Sequence, residues 1–100
     1  MKEYIYWVDP QCYENIYSFY FHVAQKYRHT YSEELMYKNI DDAVNSIYQI
    51  EKTLPRRELT IERWKGYHMA NTDKWYFAYI ILDDMIVVVD ASHAQNMHNK

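Results

Sequence analysis

Between Glu3 and Val8, tyrosine, isoleucine and tryptophan alternate, a pattern that predicts a short first strand. Asp9-Pro10 follows as a helix start: an aspartate can cap free amides, and proline fits the first helical position, where its missing N–H costs nothing. From Pro10 to about Arg28, Tyr13, Ile16, Tyr17, Tyr20, Val23, Ala24 and Tyr27 recur at helical spacing. A break at His29-Thr30-Tyr31 separates this helix from a second one. Ser32 is its expected cap, with Glu33-Glu34 suited to the helix N-terminus. The second helix gathers Met36, Ile40, Ala43, Val44, Ile47, Ile50 and Leu54 on one face, and Pro55 is predicted to end it. The short link makes the pair an antiparallel helical hairpin.

A charged connection, Arg56 to Arg63, leads to three strand-like runs: Trp64 to Ala70, Trp75 to Leu82, and Met85 to Ala91. Their breaks, 71–74 and Asp83-Asp84, are of hairpin length. Met85-Ile-Val-Val-Val89 is apolar at consecutive positions, so both of its faces should be covered and its edge paired. The first strand is its candidate neighbour. The expected fold is therefore α+β, in the order β-α-α-β-β-β. A helical hairpin packs on one face of a small, mainly antiparallel four-stranded sheet. From Ser92 onward the chain is polar and is expected to be loose.

One hundred residues at 49% hydrophobic and 25% charged fit a single domain, 1–100, with one core. Aromatics reach 18%, including twelve tyrosines, which suit a half-buried sheet and an interface equally. The lone cysteine, Cys12, excludes an internal disulfide and a cysteine zinc site. The start of the chain lacks a signal-peptide pattern and no apolar run approaches the roughly 18 residues of a membrane span. A cytoplasmic protein without a membrane association is expected. The net charge of −3 argues against general coating of nucleic acid.

Lys65-Gly-Tyr-His-Met69, the aromatic run Trp75-Tyr-Phe-Ala-Tyr79, the Asp83-Asp84 turn, and Ile86-Val-Val-Val89 leading to His93-Ala-Gln together resemble the RelE/ParE toxin superfamily. The order of elements agrees over nearly the whole chain; the motif-level likeness covers its last third. The resemblance implies a small bacterial toxin of a type II toxin–antitoxin (plasmid-stabilisation) system, held by a cognate antitoxin protein. Some members cleave messenger RNA on the ribosome, as mRNA interferases, and others poison DNA gyrase. The lysines and arginines with which the RNA-cleaving relatives hold phosphate are mostly replaced here. At the corresponding places stand His68, Ala70, Tyr76 and the tail Ala94-Gln95-Asn96.

Cleaving RNA through its own 2′-hydroxyl requires a base, an acid and positive charge at the phosphate. Histidine suits the first two roles because it titrates near neutrality. With a two-residue Asp83-Asp84 turn, Leu82 should face Met85, continuing as Ile80–Val87, Ala78–Val89, Tyr76–Ala91 and Lys74–His93. Alternation then puts Lys74, Tyr76 and His93 on one face, and His68 joins them if Tyr67 and Met69 point at the helices. His68, Lys74, Tyr76 and His93 form the candidate catalytic set, with Asp90 on the opposite face from His68. Arg56, Arg57, Arg63 and Lys65 form the candidate nucleic-acid patch, diluted by Glu58 and Glu62. His22 and His29 read as exposed helix surface, and His93 with His98 is too sparse for a metal site. Gly66 alone makes no phosphate loop. No cofactor is expected.

These observations favour a toxin or toxin-like protein that acts by binding a protein target, over a ribosome-dependent endoribonuclease with a histidine-based site. A toxin-fold relative that has lost activity is the third reading.

Overall fold

The computed structural model describes residues 3–54, 61–72 and 74–97. Strand β1 (Ile5–Val8) leads into helices α1 (Pro10–Lys26) and α2 (Glu33–Ile47), and then into 3-10 turns at Ile50–Thr53 and Glu62–Trp64. Strands β2 (His68–Thr72), β3 (Trp75–Leu82) and β4 (Met85–His93) follow, with a last 3-10 turn at Ala94–Asn96. The sheet order is β1-β4-β3-β2; β1 runs parallel to β4, and the other neighbours are antiparallel. Two helices pack on a small four-stranded sheet, the α+β arrangement expected from the chain's patterning.

Both helix starts are chemically specified. The Asp9 carboxylate accepts from the Gln11 amide at 2.9 Å with Pro10 in the first turn, and Ser32 Oγ accepts from the Leu35 amide at 3.1 Å. Cys12, Ile16 and Tyr20 of α1 and Met36, Ile40, Ala43 and Ile47 of α2 meet Phe77, Tyr79, Ile86 and Val88 of the sheet in the main core. β4 lies inside the sheet because its Ile86 and Val88 are fully buried under the helices, while β1 supplies the edge.

α2 ends at Ile47, earlier than Pro55. Tyr6 Oη, on β1, accepts the Glu51 amide at 3.1 Å, an amide that a continuing helix would have given to Ile47. The chain tightens instead into the 3-10 turn that still buries Ile50. Pro55, Arg56 and Arg57 lie outside the described residues, as does His98. Trp64 belongs to a 3-10 turn and not to a strand; Gly66, at φ +93°, turns the chain into β2, a conformation glycine adopts without strain. Ser92 and His93 are buried in β4 and not part of a loose tail.

The β3–β4 hairpin begins as expected. Asp83, at φ 55°, takes the left-handed turn position that aspartate tolerates, and Leu82–Met85 and Ile80–Val87 pair. Between Ala78 and Tyr79 the register then slips, leaving Val89 as an extra residue. Ala78 pairs with Asp90, Tyr76 with Ser92 and Trp75 with His93, in place of Ala78–Val89, Tyr76–Ala91 and Lys74–His93. One inserted residue inverts the facing of everything beyond it.

The face away from the helices is only partly covered. Near β2, Trp64, Met69 and Ala78 form a second small core with Ile61, Tyr76, Val89 and Met97. Toward the β3–β4 turn, Ile5, Trp7 and Leu82 are 63%, 49% and 55% exposed. Tyr6 and Val8 pack into the main core, so alternation aims Ile5 and Trp7 away from the helices. No helix among the described residues is long and apolar enough to cross a membrane.

The core has an alkaline limit. Burial pushes the Cys12 thiol from 9 up to about 12 and the Tyr6 hydroxyl from 10 up to about 12. The hydrogen bond to Tyr48, and then burial, raise Tyr13 likewise to about 12. Each fold-state value exceeds the unfolded one, so the folded chain holds protons that the unfolded chain releases first. These contributions are complete below about pH 9 and fade as the pH climbs toward about 12. Urea midpoints should therefore fall between about pH 8 and about pH 10.5. Iodoacetamide should alkylate Cys12 only through unfolding; labelling at the rate of a free thiol in native buffer at about pH 8 contradicts this burial.

Candidate functional site

The register slip decides what the C-terminal half of β4 presents. After it, His93 turns toward the helices and lies flat on Phe19, with ring centroids 4.1 Å apart and planes at 12°. Trp75 meets the imidazole edge-on at 5.4 Å, and its Nε1 donates to Tyr20 Oη at 3.2 Å. His93 Nδ1 accepts the Gln95 amide at 3.1 Å, capping the last 3-10 turn. With Nδ1 an acceptor, the neutral ring carries its proton on Nε2.

Asp90, beside the slip, joins three elements. Its carboxylate accepts from Trp64 Nε1 at 2.8 Å, from Asn15 Nδ2 at 2.9 Å and from the Ala91 amide at 2.9 Å. Asn15 Nδ2 also donates to the Ala91 carbonyl at 3.1 Å. The carboxylate is thus committed to structure and is poorly placed to act as a base. It fixes the 62–64 turn beside α1, and Arg63 of that turn lies 5.2 Å over the Trp64 ring with an N–H 3.8 Å from Met97 Sδ.

These groups border a cleft of about 490 Å³ between α1 and the end of β4. His93, Trp75 and Phe19 form its floor; exposed His22 and Arg63 stand at its rim, with Ser18 and Gln95 between. Chemically the cleft offers one permanent cation, the Asp90 carboxylate, two imidazoles and several neutral donors. Through Arg63 and the neutral donors that set can hold a polar backbone by hydrogen bonds. Cys12 does not line the cleft: its thiol is buried against the Val88 carbonyl at 3.8 Å and is no nucleophile. No protein-family model matches the chain, nor does any curated protein.

The four candidate catalytic residues do not converge. His93 lines the cleft. His68 also faces the helices, 5.4 Å from Tyr79, because Met69 and not His68 points away from them. Its pairing partner Tyr79 and that of His93, Trp75, lie four residues apart on β3, roughly 13 Å at strand rise. Tyr76 points to the opposite face with Met69 and Ala78, and Lys74 is exposed at the β2–β3 link, where its carbonyl accepts the Ala94 amide at 2.8 Å. The single slip at Val89 separates Tyr76 from His93. Of the basic patch, Arg63 reaches the cleft, Lys65 is exposed beyond the turn, and Arg56 and Arg57 lie outside the described residues. His22, assigned by its pattern to plain surface, is a rim residue of the cleft. Its spacing from Asn15 and Ser18 marks one helical face and was the available signal.

Proposed function

We propose that this chain is a toxin or toxin-like component of a bacterial type II toxin–antitoxin system, working in the cytoplasm by binding a protein target and neutralised by a cognate antitoxin. The observation that carries this reading is the apolar, incompletely covered sheet face with exposed Ile5, Trp7 and Leu82, opposite the helical hairpin. Exposed apolar groups clustered on one sheet face suit a protein partner better than an RNA backbone. The dispersal of His68, Lys74, Tyr76 and His93 weakens a four-residue nuclease centre, and the strand–hairpin–meander order is that of the RelE/ParE superfamily the sequence resembles. Expression alone should arrest growth, and co-expression of the adjoining open reading frame should relieve it and yield a co-purifying complex. Trp7→Glu, on an exposed side chain, should weaken that complex at least about tenfold while leaving the fold intact. Absence of both arrest and complex ends this reading; complex without arrest favours a toxin-fold relative that has lost activity.

The ribosome-dependent mRNA endonuclease stands as a second reading because Arg63, His22 and His93 border one cleft. On this reading His93 and His22, not His68, are the proton-transfer pair. Primer extension on translated messages decides it: cleavage that survives a His22→Ala, His93→Gln double variant excludes the cleft as its site.

A further inference from the structure

We propose that His93 is a proton-operated latch: neutral, it holds the turn after β4 closed as a wall of the cleft, and protonated, it lets that turn go. The 3-10 turn Ala94–Asn96 is tied at its start by the 3.1 Å bond in which His93 Nδ1 accepts the Gln95 amide. Serine or aspartate caps a helix with the same bond; here the acceptor is an imidazole nitrogen, which loses its lone pair on protonation near neutral pH. The ring has little room to adapt. Phe19 lies flat against it at 4.1 Å, Trp75 meets it edge-on at 5.4 Å, and the residue is 8% exposed. Turning the ring over would bring Cδ2–H to the Gln95 amide in place of an acceptor. A proton on Nδ1 sets one N–H against another, and the turn loses its cap.

What the turn holds in place shows what its release changes. Gln95 and Asn96 line the cleft. Met97 follows them, packs against the cluster of Trp64, Met69 and Ala78, and takes an Arg63 N–H on its sulfur at 3.8 Å. Closed, the turn therefore steadies the rim cation and covers an apolar cluster; released, it widens the cleft, frees Arg63 and uncovers Trp64. The Ala94 amide stays on the Lys74 carbonyl at 2.8 Å, a bond that does not titrate, so Ala94 is the pivot. The groups around the ring set the sign. α1 brings the His22 imidazole and the Tyr20 phenol, the 62–64 turn Arg63, the β2–β3 link Lys74, and β4 the Asp90 carboxylate. Two cations thus stand against one carboxylate, whose oxygens already accept from Trp64, Asn15 and the Ala91 amide. A further cation is disfavoured in the closed cleft, whereas a released turn opens Nδ1 to water. Falling pH therefore favours release. The inference rests on this geometry and is independent of the proposed function.

The test is an NMR titration of the full chain, labelled at methionine methyls and backbone amides, from about pH 7.5 to about pH 5, where imidazoles charge. The Met97 methyl and the Gln95 amide should leave their packed positions together, at the midpoint shown by the His93 ring protons. The ratio of closed to open turn should fall about threefold to tenfold, the worth of one capping bond. His93→Asn puts a carbonyl oxygen where Nδ1 stands and takes up no proton, so that ratio should hold within about twofold across the range. His93→Phe keeps a ring on Phe19 but offers no acceptor; its turn should be open about threefold to tenfold more often already at about pH 7.5. His22→Ala should leave the transition in place. Should His93→Phe fail to fold, the parent and His93→Asn titrations decide alone. A Met97 methyl that stays put while the His93 ring titrates overturns the proposal, as does a ring that takes no proton above about pH 5. A transition that survives in His93→Asn overturns it too, and its loss in His22→Ala would then assign the switch to the rim histidine.

Discussion

Replacing Trp75 with alanine should cost about 4 kcal/mol, within the range for removing a large buried aromatic. The residue is 1% exposed and sits where β3 meets α1 and the end of β4. Its ring contacts Phe19 edge-on at 5.7 Å, Tyr20 at 6.0 Å and His93 at 5.4 Å, so the cavity would open under the cleft floor. The lost Nε1 bond would leave the buried Tyr20 hydroxyl without that donor. A domain of this size is stable by roughly 5–15 kcal/mol in total, so Trp75→Ala should sit near the edge of unfolding at 37 °C. Trp75→Phe keeps a ring and loses the N–H, and should cost only about 1–2 kcal/mol. Urea titration of both variants checks the pair. A loss under about 1 kcal/mol for alanine means that Trp75 does not pair with His93 as the slipped register requires.

Much of this architecture can be read from the chain because its signals are local. Asp9-Pro10 and Ser32 set helix starts through bonds that span two or three residues. Ile86-Val87-Val88 needs cover on both faces and a neighbour on its edge, and β1 was the remaining strand to supply it. The misplaced features depend on distant partners. α2 stops because Tyr6, 45 residues away, takes the Glu51 amide. The slip at Val89 has no glycine or proline to announce it; Asp90 is instead drawn to Asn15 and Trp64, 75 and 26 positions away. That one residue then decides the site, since it sends His93 to the helices and leaves Tyr76 on the other face. Arg63 and His93, assigned from sequence to separate sets, border one cleft for the same reason.

The same carboxylate yields the second large effect: Asp90→Asn, nearly identical in shape, should lose about 2–3 kcal/mol. The aspartate offers two oxygens to three donors: Trp64 Nε1, Asn15 Nδ2 and the Ala91 amide. An asparagine offers one oxygen and a donor, so either Trp64 Nε1 alone, or Asn15 Nδ2 together with the Ala91 amide, must face an NH2. If Trp64 loses its acceptor, an indole N–H buried with a 2% exposed side chain goes unsatisfied, and the turn holding Arg63 at the cleft loosens. If Asn15 yields by turning its amide over, it gives up its bond to the Ala91 carbonyl and the 2.8 Å bond its Oδ1 receives from Gln11. Neither escape is free of cost, which is why a change of one atom should be felt. Trp64→Phe removes the donor most dependent on the carboxylate, so its effect and that of Asp90→Asn should overlap, with a coupling of about 1–2 kcal/mol in a double-variant cycle. Strict additivity would show that Trp64 and Asp90 act separately. The clamp could then not be what holds the 62–64 turn against α1 and gives the cleft its cationic rim.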